Sequence, residues 1–155
     1  MEGYVAYRFN ELFTPFAGLG FRIVYDDSGG QHSANSGTFY DRRNMFLYVP
    51  VGVRVNPIKD LSLKIQGNYL LRGWQKSYNS DTFDQYPNAH NTQDEGWGVD
   101  VTVNYQMTDK WSAYSFYRYW NIDRSDNDCG NVVFNGFVCW WEPENTTQEI
   151  GVGVA

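Results

Sequence analysis

The sequence predicts an all-β chain, an antiparallel up-and-down transmembrane β-barrel, and three observations carry that prediction. Apolar and polar residues alternate with period two through most of the 155 residues, and helical periodicity is nearly absent. The connectors between the alternating segments are short and long in turn. The apolar face of each segment is nearly pure Val, Leu and Ile with aromatics toward its ends, whereas the polar face carries Arg, Lys, Gln, Asn and Gly.

The strands follow from the alternation. Tyr4–Phe9 sets Val5, Tyr7 and Phe9 against Ala6 and Arg8. Phe16–Tyr25 sets Ala17, Leu19, Phe21 and Ile23 against Gly18, Gly20 and Arg22. In Asn44–Asn56 a face of Met45, Leu47, Val49, Val51, Val53 and Val55 opposes Phe46, Tyr48, Pro50, Gly52 and Arg54. In Leu61–Trp74 the polar face reads Ser62, Lys64, Gln66, Asn68, Leu70 and Arg72. Trp97–Met107 opposes Val99, Val101 and Val103 to Asp100, Thr102 and Asn104. Trp111–Ile122 is noisier, with Ala113, Tyr117 and Tyr119 opposite Tyr114, Phe116, Arg118 and Trp120. Gln148–Ala155 closes the series, with Ile150, Val152 and Val154 opposite Glu149, Gly151 and Gly153. Turn formers tighten the connectors at 10–13, 56–60 and 107–110, while 26–43, 76–95 and 123–145 are long and rich in Asp, Asn, Ser and Gly. A meander built this way has every tight turn at one end and every long loop at the other.

Composition narrows the class. A net charge of −6 opposes a nucleic-acid role, and 18% aromatic residues are too many for a disordered chain. No run approaches the ~20 apolar residues of a membrane helix. A barrel interior wants small and charged residues, and lipid wants an apolar band edged by aromatics. A soluble ligand-binding barrel wants the opposite arrangement, so the faces favour the membrane.

The charges divide by place. The interior face holds Arg8, Arg22, Arg54, Lys64, Arg72 and Arg118 against Asp100 and Glu149. The long loops hold twelve carboxylates against four cations, so the negative charge belongs to the loops. Eight strands leave an interior that side chains fill. These residues are therefore expected to form a polar plug, with an anion-selective pore as the alternative. Seven strands are read, whereas single-chain bacterial barrels have even numbers. An eighth strand is expected from outside these residues or from another chain, and it is expected to carry an inward carboxylate to offset the basic interior. A fragment of a larger porin-like barrel is the alternative.

On this pattern the whole chain, one domain over 1–155, resembles the small outer-membrane β-barrel proteins of Gram-negative bacteria, the group with OmpA-type transmembrane domains and OmpX-like proteins. The closing run Thr147–Ala155 resembles a final strand of that group, although such proteins end on an aromatic residue and this chain on Ala155. The N-terminus Met1-Glu2-Gly3-Tyr4 lacks the features of a signal peptide, which fits either a cytosolic protein or a mature or trimmed chain; with the resemblance, trimming at one or both ends is expected. The resemblance implies a bacterial outer-membrane location, contact with outer-membrane lipid and lipopolysaccharide, and no cofactor.

The loops hold the remaining candidates. Cys129 and Cys139 flank an Asn135-Gly136 hairpin signal, which predicts a disulfide and an oxidising compartment. Phe134, Phe137, Trp140 and Trp141 beside it form a candidate partner surface for another protein, with packing back onto the barrel mouth as the alternative. The run Asp123-Arg124-Ser125-Asp126-Asn127-Asp128 lacks a calcium-loop motif and reads as a solvated acidic loop, so no metal site is expected. The two histidines, His32 beside Ser33 and His90 in a loop with Asp84 and Asp94, could join a catalytic set. Neither falls in an expected strand, so no catalytic residue is assigned. The function expected is structural or in surface interaction and adhesion, then a pore for small solutes, then a lipid A- or peptide-modifying enzyme.

Overall fold

The computed structural model describes residues 1–29, 41–82, 86–132 and 136–155. His32, Ser33, Asp84 and Phe134 lie outside the described residues. The elements in chain order are β1 (Glu2–Ala6), β2 (Phe13–Asp26), β3 (Arg42–Ile58), β4 (Leu61–Ser77), a four-residue helix α1 (Asn79–Thr82), β5 (Ala89–Gln93), β6 (Gly96–Gln106), β7 (Ser112–Ile122), β8 (Asp128–Val132), β9 (Gly136–Trp140) and β10 (Asn145–Val154).

The fold is all-β and antiparallel. One sheet runs β1-β2-β3-β4-β6-β7-β10, and β5 pairs with the upper half of β4 beyond the start of β6. All seven expected strands are present in the expected up-and-down order. Side-chain oxygens hold two of the tight turns, one from the expected turn former Asn10 and one from Thr108. Asn10 Oδ1 accepts the backbone N–H groups of Leu12 and Phe13 at 2.9 and 2.7 Å, which turns the chain from β1 into β2. Thr108 Oγ1 accepts the Trp111 N–H at 3.1 Å between β6 and β7.

The sheet curls strongly on itself. Arg22 on β2 and Glu149 on β10 are ion-paired, although five strand spacings separate them, about 24 Å in a flat sheet. The rings of Tyr48 on β3 and Trp120 on β7 meet edge to face at 5.1 Å. The curl stops short of closure: among the described residues no ladder joins β1 to β10, and both keep a free edge.

Close packing of the concave face comes from glycines set opposite aromatics in the register. The pairs are Gly20 with Tyr48, Gly98 with Trp120, Gly151 with Phe116 and Gly153 with Tyr114. A Cβ on any of these glycines would lie 2.3 to 2.7 Å from the facing ring. The absent side chain is what lets the ring lie across the neighbouring strand. Phe46, Tyr48, Leu70, Trp120 and Ile122 form the buried apolar cluster, in the half of the interior nearer the long loops.

Two features depart from the expected alternation. A bulge places Leu71 as an extra residue in β4, because Tyr48 pairs with Leu70 and Leu47 with Arg72. Beyond it the inward positions change parity to Gly73, Gln75 and Ser77. The second is β5, a polar strand within the second long connector. Ala89, Asn91 and Gln93 are its buried positions, paired with the buried face of β4.

Candidate functional site

The polar interior is organised around one row of register partners. Gln66 on β4, Asp100 on β6, Arg118 on β7 and Glu149 on β10 stand side by side. Arg118 donates from Nε to Asp100 Oδ1 and from Nη1 to Glu149 Oε2, both at 2.8 Å. Asn68 Nδ2 donates to Asp100 Oδ2 at 2.9 Å, and Gln66 Nε2 donates to the same oxygen at 3.2 Å. Arg22 reaches across from β2 to the other oxygen of Glu149.

Glu2 supplies the third carboxylate. Its Oε1 accepts from Tyr48 Oη at 2.7 Å and from Gln66 Nε2 at 2.9 Å. Its Oε2 accepts from Tyr4 Oη and lies 3.6 Å from Lys64 Nζ, which also donates to the Tyr4 hydroxyl at 2.9 Å. The connected network thus contains three cations, Arg22, Lys64 and Arg118, and three carboxylates, Glu2, Asp100 and Glu149. Paired and hydrogen-bonded in this way, the charges avoid the cost of an unpaired buried ion.

This corrects the strongly basic interior that the sequence predicts. Arg72 is exposed on the outer face, because the bulge at Leu71 sets it beside Leu47. There it lies 3.6 Å from Asp94. Arg8 lies beyond the end of β1 and is exposed, and Arg54, opposite Lys64, is exposed near the tight turns. Glu2 joins the interior because it shares parity with Tyr4 on β1. That parity extends the Tyr4–Phe9 alternation by two residues and is legible in the sequence.

Above the apolar cluster, at the long-loop end, the interior opens into a cavity of about 380 Å³. Phe46, Trp120 and Ile122 line it toward the cluster, with Gln75 and Gln93 beside them. At its rim Arg42 donates from Nε to Asp26 Oδ2 at 3.0 Å and from Nη1 to Glu142 Oε2 at 3.0 Å. The Arg42 guanidinium holds the Asp26 carboxyl below the ordinary carboxylate range, against the opposing effect of partial burial.

Described parts of the third long connector hydrogen-bond to β5. Cys129 and Cys139 face each other in the β8–β9 hairpin and form the expected disulfide. Gly136, at the start of β9, has φ of +70°, the backbone conformation that an Asn-Gly turn requires. The acidic run supplies hydrogen-bond acceptors to the side of β5 away from β4. Asp126 accepts the Thr92 N–H at 2.6 Å and its hydroxyl at 2.8 Å, and Asp128 accepts the His90 N–H at 2.7 Å. These carboxylates occupy backbone donors that a further strand would otherwise use.

Of the candidate partner residues, Trp140 packs edge to face on Tyr86 of the second long connector, with centroids 6.4 Å apart. Phe137 is 70% exposed, and Trp141 is 50% exposed under the Arg124 guanidinium. His90 is exposed on the outer face of β5, opposite Lys76 in the register. Among the described residues no three His, Cys, Asp or Glu side chains are placed to hold a metal ion, and no helix is long and apolar enough to cross a membrane. In the comparisons with known proteins, no family model and no curated protein sequence matches the chain.

Proposed function

We propose that the chain is an integral outer-membrane barrel of a Gram-negative bacterium, with a plugged polar interior and a structural or surface-interaction role for its long acidic loops. One observation carries this reading: the usual sorting of residues is inverted. Gln66, Asn68 and Asp100 are 0, 4 and 8% exposed inside, while Ile150 and Val152 are 80 and 82% exposed outside. In water, such an outer face forfeits about 25 cal/mol for each Å² of apolar surface that burial would recover. Acyl chains recover that energy, and they leave the polar residues in the only interior available to them.

Aromatic positions support the same reading. Tyr69 and Trp97 lie on the outer face toward the long loops, and Tyr105 and Trp111 toward the tight turns. From Trp97 to Tyr105 β6 runs about 27 Å, or about 20 Å across the membrane at a tilt near 40°. That approaches the ~25 Å band of outer-membrane barrels. The disulfide is consistent with an oxidising compartment.

A transmembrane sheet cannot leave edges open to lipid, because each unpaired backbone group there costs several kcal/mol. The free edges of β1 and β10 therefore call for an eighth strand between them, from another segment or another chain. Because Glu2 already balances the interior network, that strand needs no inward carboxylate to offset a charge excess.

The apolar cluster beneath the cavity and the ion-paired row favour a plug over a pore. Reconstitution into vesicles followed by alkaline carbonate extraction tests insertion, and planar-bilayer conductance tests the plug. Resistance to extraction without single-channel steps is expected. Quantitative release by carbonate would overturn the membrane reading, and discrete anion-selective steps would replace the plug with a pore.

A further inference from the structure

The outer face carries a row of basic side chains that the interior network does not use. Arg43, Lys76 and His90 are successive register partners across β3, β4 and β5. Neighbouring strands lie about 4.8 Å apart, so the three side chains start within about 10 Å of one another. None of the three is ion-paired among the described residues, and Arg43 Nε is buried without a hydrogen-bond partner. The nearby carboxylates are engaged elsewhere: Asp128 accepts the His90 backbone N–H, and Asp41 accepts that of Gly29. Lys76 Nζ stands 4.5 Å over the Tyr78 ring, an arrangement that leaves the ammonium able to donate outward.

The next row toward the tight turns is apolar across β2, β3 and β4, where Ile23, Met45 and Trp74 are register partners. Met45 and Trp74, with Phe21, border a shallow groove of about 420 Å³ whose other walls include Arg43, Lys76 and His90. One patch thus sets two cations and a histidine above an apolar floor, on a chain whose long connectors are strongly acidic.

We propose that this patch binds one phosphorylated membrane lipid, its phosphate held by Arg43, Lys76 and His90 and its acyl chains lying over Phe21, Ile23, Met45 and Trp74. The inference rests on the membrane reading, since only in a membrane does the apolar row meet acyl chains. Arg supplies a planar fork to phosphate oxygens and Lys a point charge, and phosphate held by both is a charge-assisted contact. The lipid rather than a free anion is specified by the apolar floor.

The test uses the chain folded in zwitterionic micelles and titrated with lipid A, with dephosphorylated lipid A and with inorganic phosphate. Trp74 fluorescence and native mass spectrometry report binding. Saturable lipid A binding is expected. It should weaken at least about tenfold in the Arg43→Ala/Lys76→Ala variant, and it should be unchanged in Lys110→Ala at the opposite end. Equal binding of dephosphorylated lipid, displacement by millimolar inorganic phosphate, or unaltered affinity in the double variant would each overturn the proposal. Those results with the chain embedded, shown by quenching of Trp97 by brominated lipid, leave the membrane reading standing. A chain that does not embed at all ends both.

Discussion

Arg118 joins two carboxylates that sit on the strands either side of it, donating to Asp100 on β6 and Glu149 on β10 at 2.8 Å each. The register places the three side by side, so one guanidinium ties β6, β7 and β10 together on the inside. Asp100 is buried, and removing its cation leaves an acceptor that water reaches poorly. Arg118→Ala is expected to cost about 1–3 kcal/mol in urea unfolding from micelles. Arg118→Lys should fall between, since one ammonium lacks the fork that serves two carboxylates at once. Equal stability of all three proteins would remove the network from the account.

Gly98 and Trp120 make the same point for packing. A Cβ at Gly98 would lie 2.7 Å from the indole, and Trp120 belongs to the buried cluster. Gly98→Val is expected to destabilise by about 1–3 kcal/mol through overpacking. Trp120→Ala opens space there, so the double variant should lose less than the sum of the two single losses. Additive losses in a double-mutant cycle would mean that the two positions are not coupled.

Asp126 is predicted to be structural rather than a cation ligand. Its carboxylate accepts both the N–H and the hydroxyl of Thr92. Asp126→Ala should raise amide hydrogen exchange at Thr92 and its β5 neighbours, by a local loss of about 1.5–3 kcal/mol. Exchange at Val101 in the middle of β6 should not change. Identical protection at Thr92 in both proteins would contradict this role.

The rim pair of Asp26 and Arg42 gives a pH dependence with a definite sign. The folded Asp26 carboxyl titrates below its ordinary value of 3.8. Its contribution to stability is therefore complete above that value and lost as pH falls through the depressed folded one. Both side chains are about one-third exposed, so the effect is small, about 0.5 kcal/mol. Asp26→Asn should be less stable than the parent at pH 7, and the two should converge below pH ~3. A gap that persists in acid would assign the loss to something other than the charge.

Much of this architecture is legible in the chain because a two-residue period leaves little freedom. Once Val99, Val101 and Val103 face one way, Asp100 must face the other. The same logic fails at Leu71, where one inserted residue reverses parity and carries Arg72 outside. No composition signal marks that bulge, because Leu70 and Leu71 are identical and either could be the extra residue. The strand β5 is hidden for a different reason: its inward residues are Asn91, Gln93 and Ala89, and its hydrogen bonds come partly from Asp126 and Asp128 far along the chain. The partners of Glu2 on β3 and β4 are equally non-local, and its role emerges only once the sheet curls.

The proposed membrane role requires the apolar outer face to meet lipid while the polar interior does not. Single-tryptophan variants retaining Trp97, Trp111 or Trp120, reconstituted in vesicles of lipid brominated along the acyl chain, test it directly. Trp97 and Trp111 are 50 and 58% exposed on the outside, and Trp120 is 3% exposed within. Strong quenching of Trp97 and Trp111 with Trp120 protected is the predicted result. Equal quenching at all three positions, or none at Trp97 and Trp111 in a chain that folds without lipid, would contradict it.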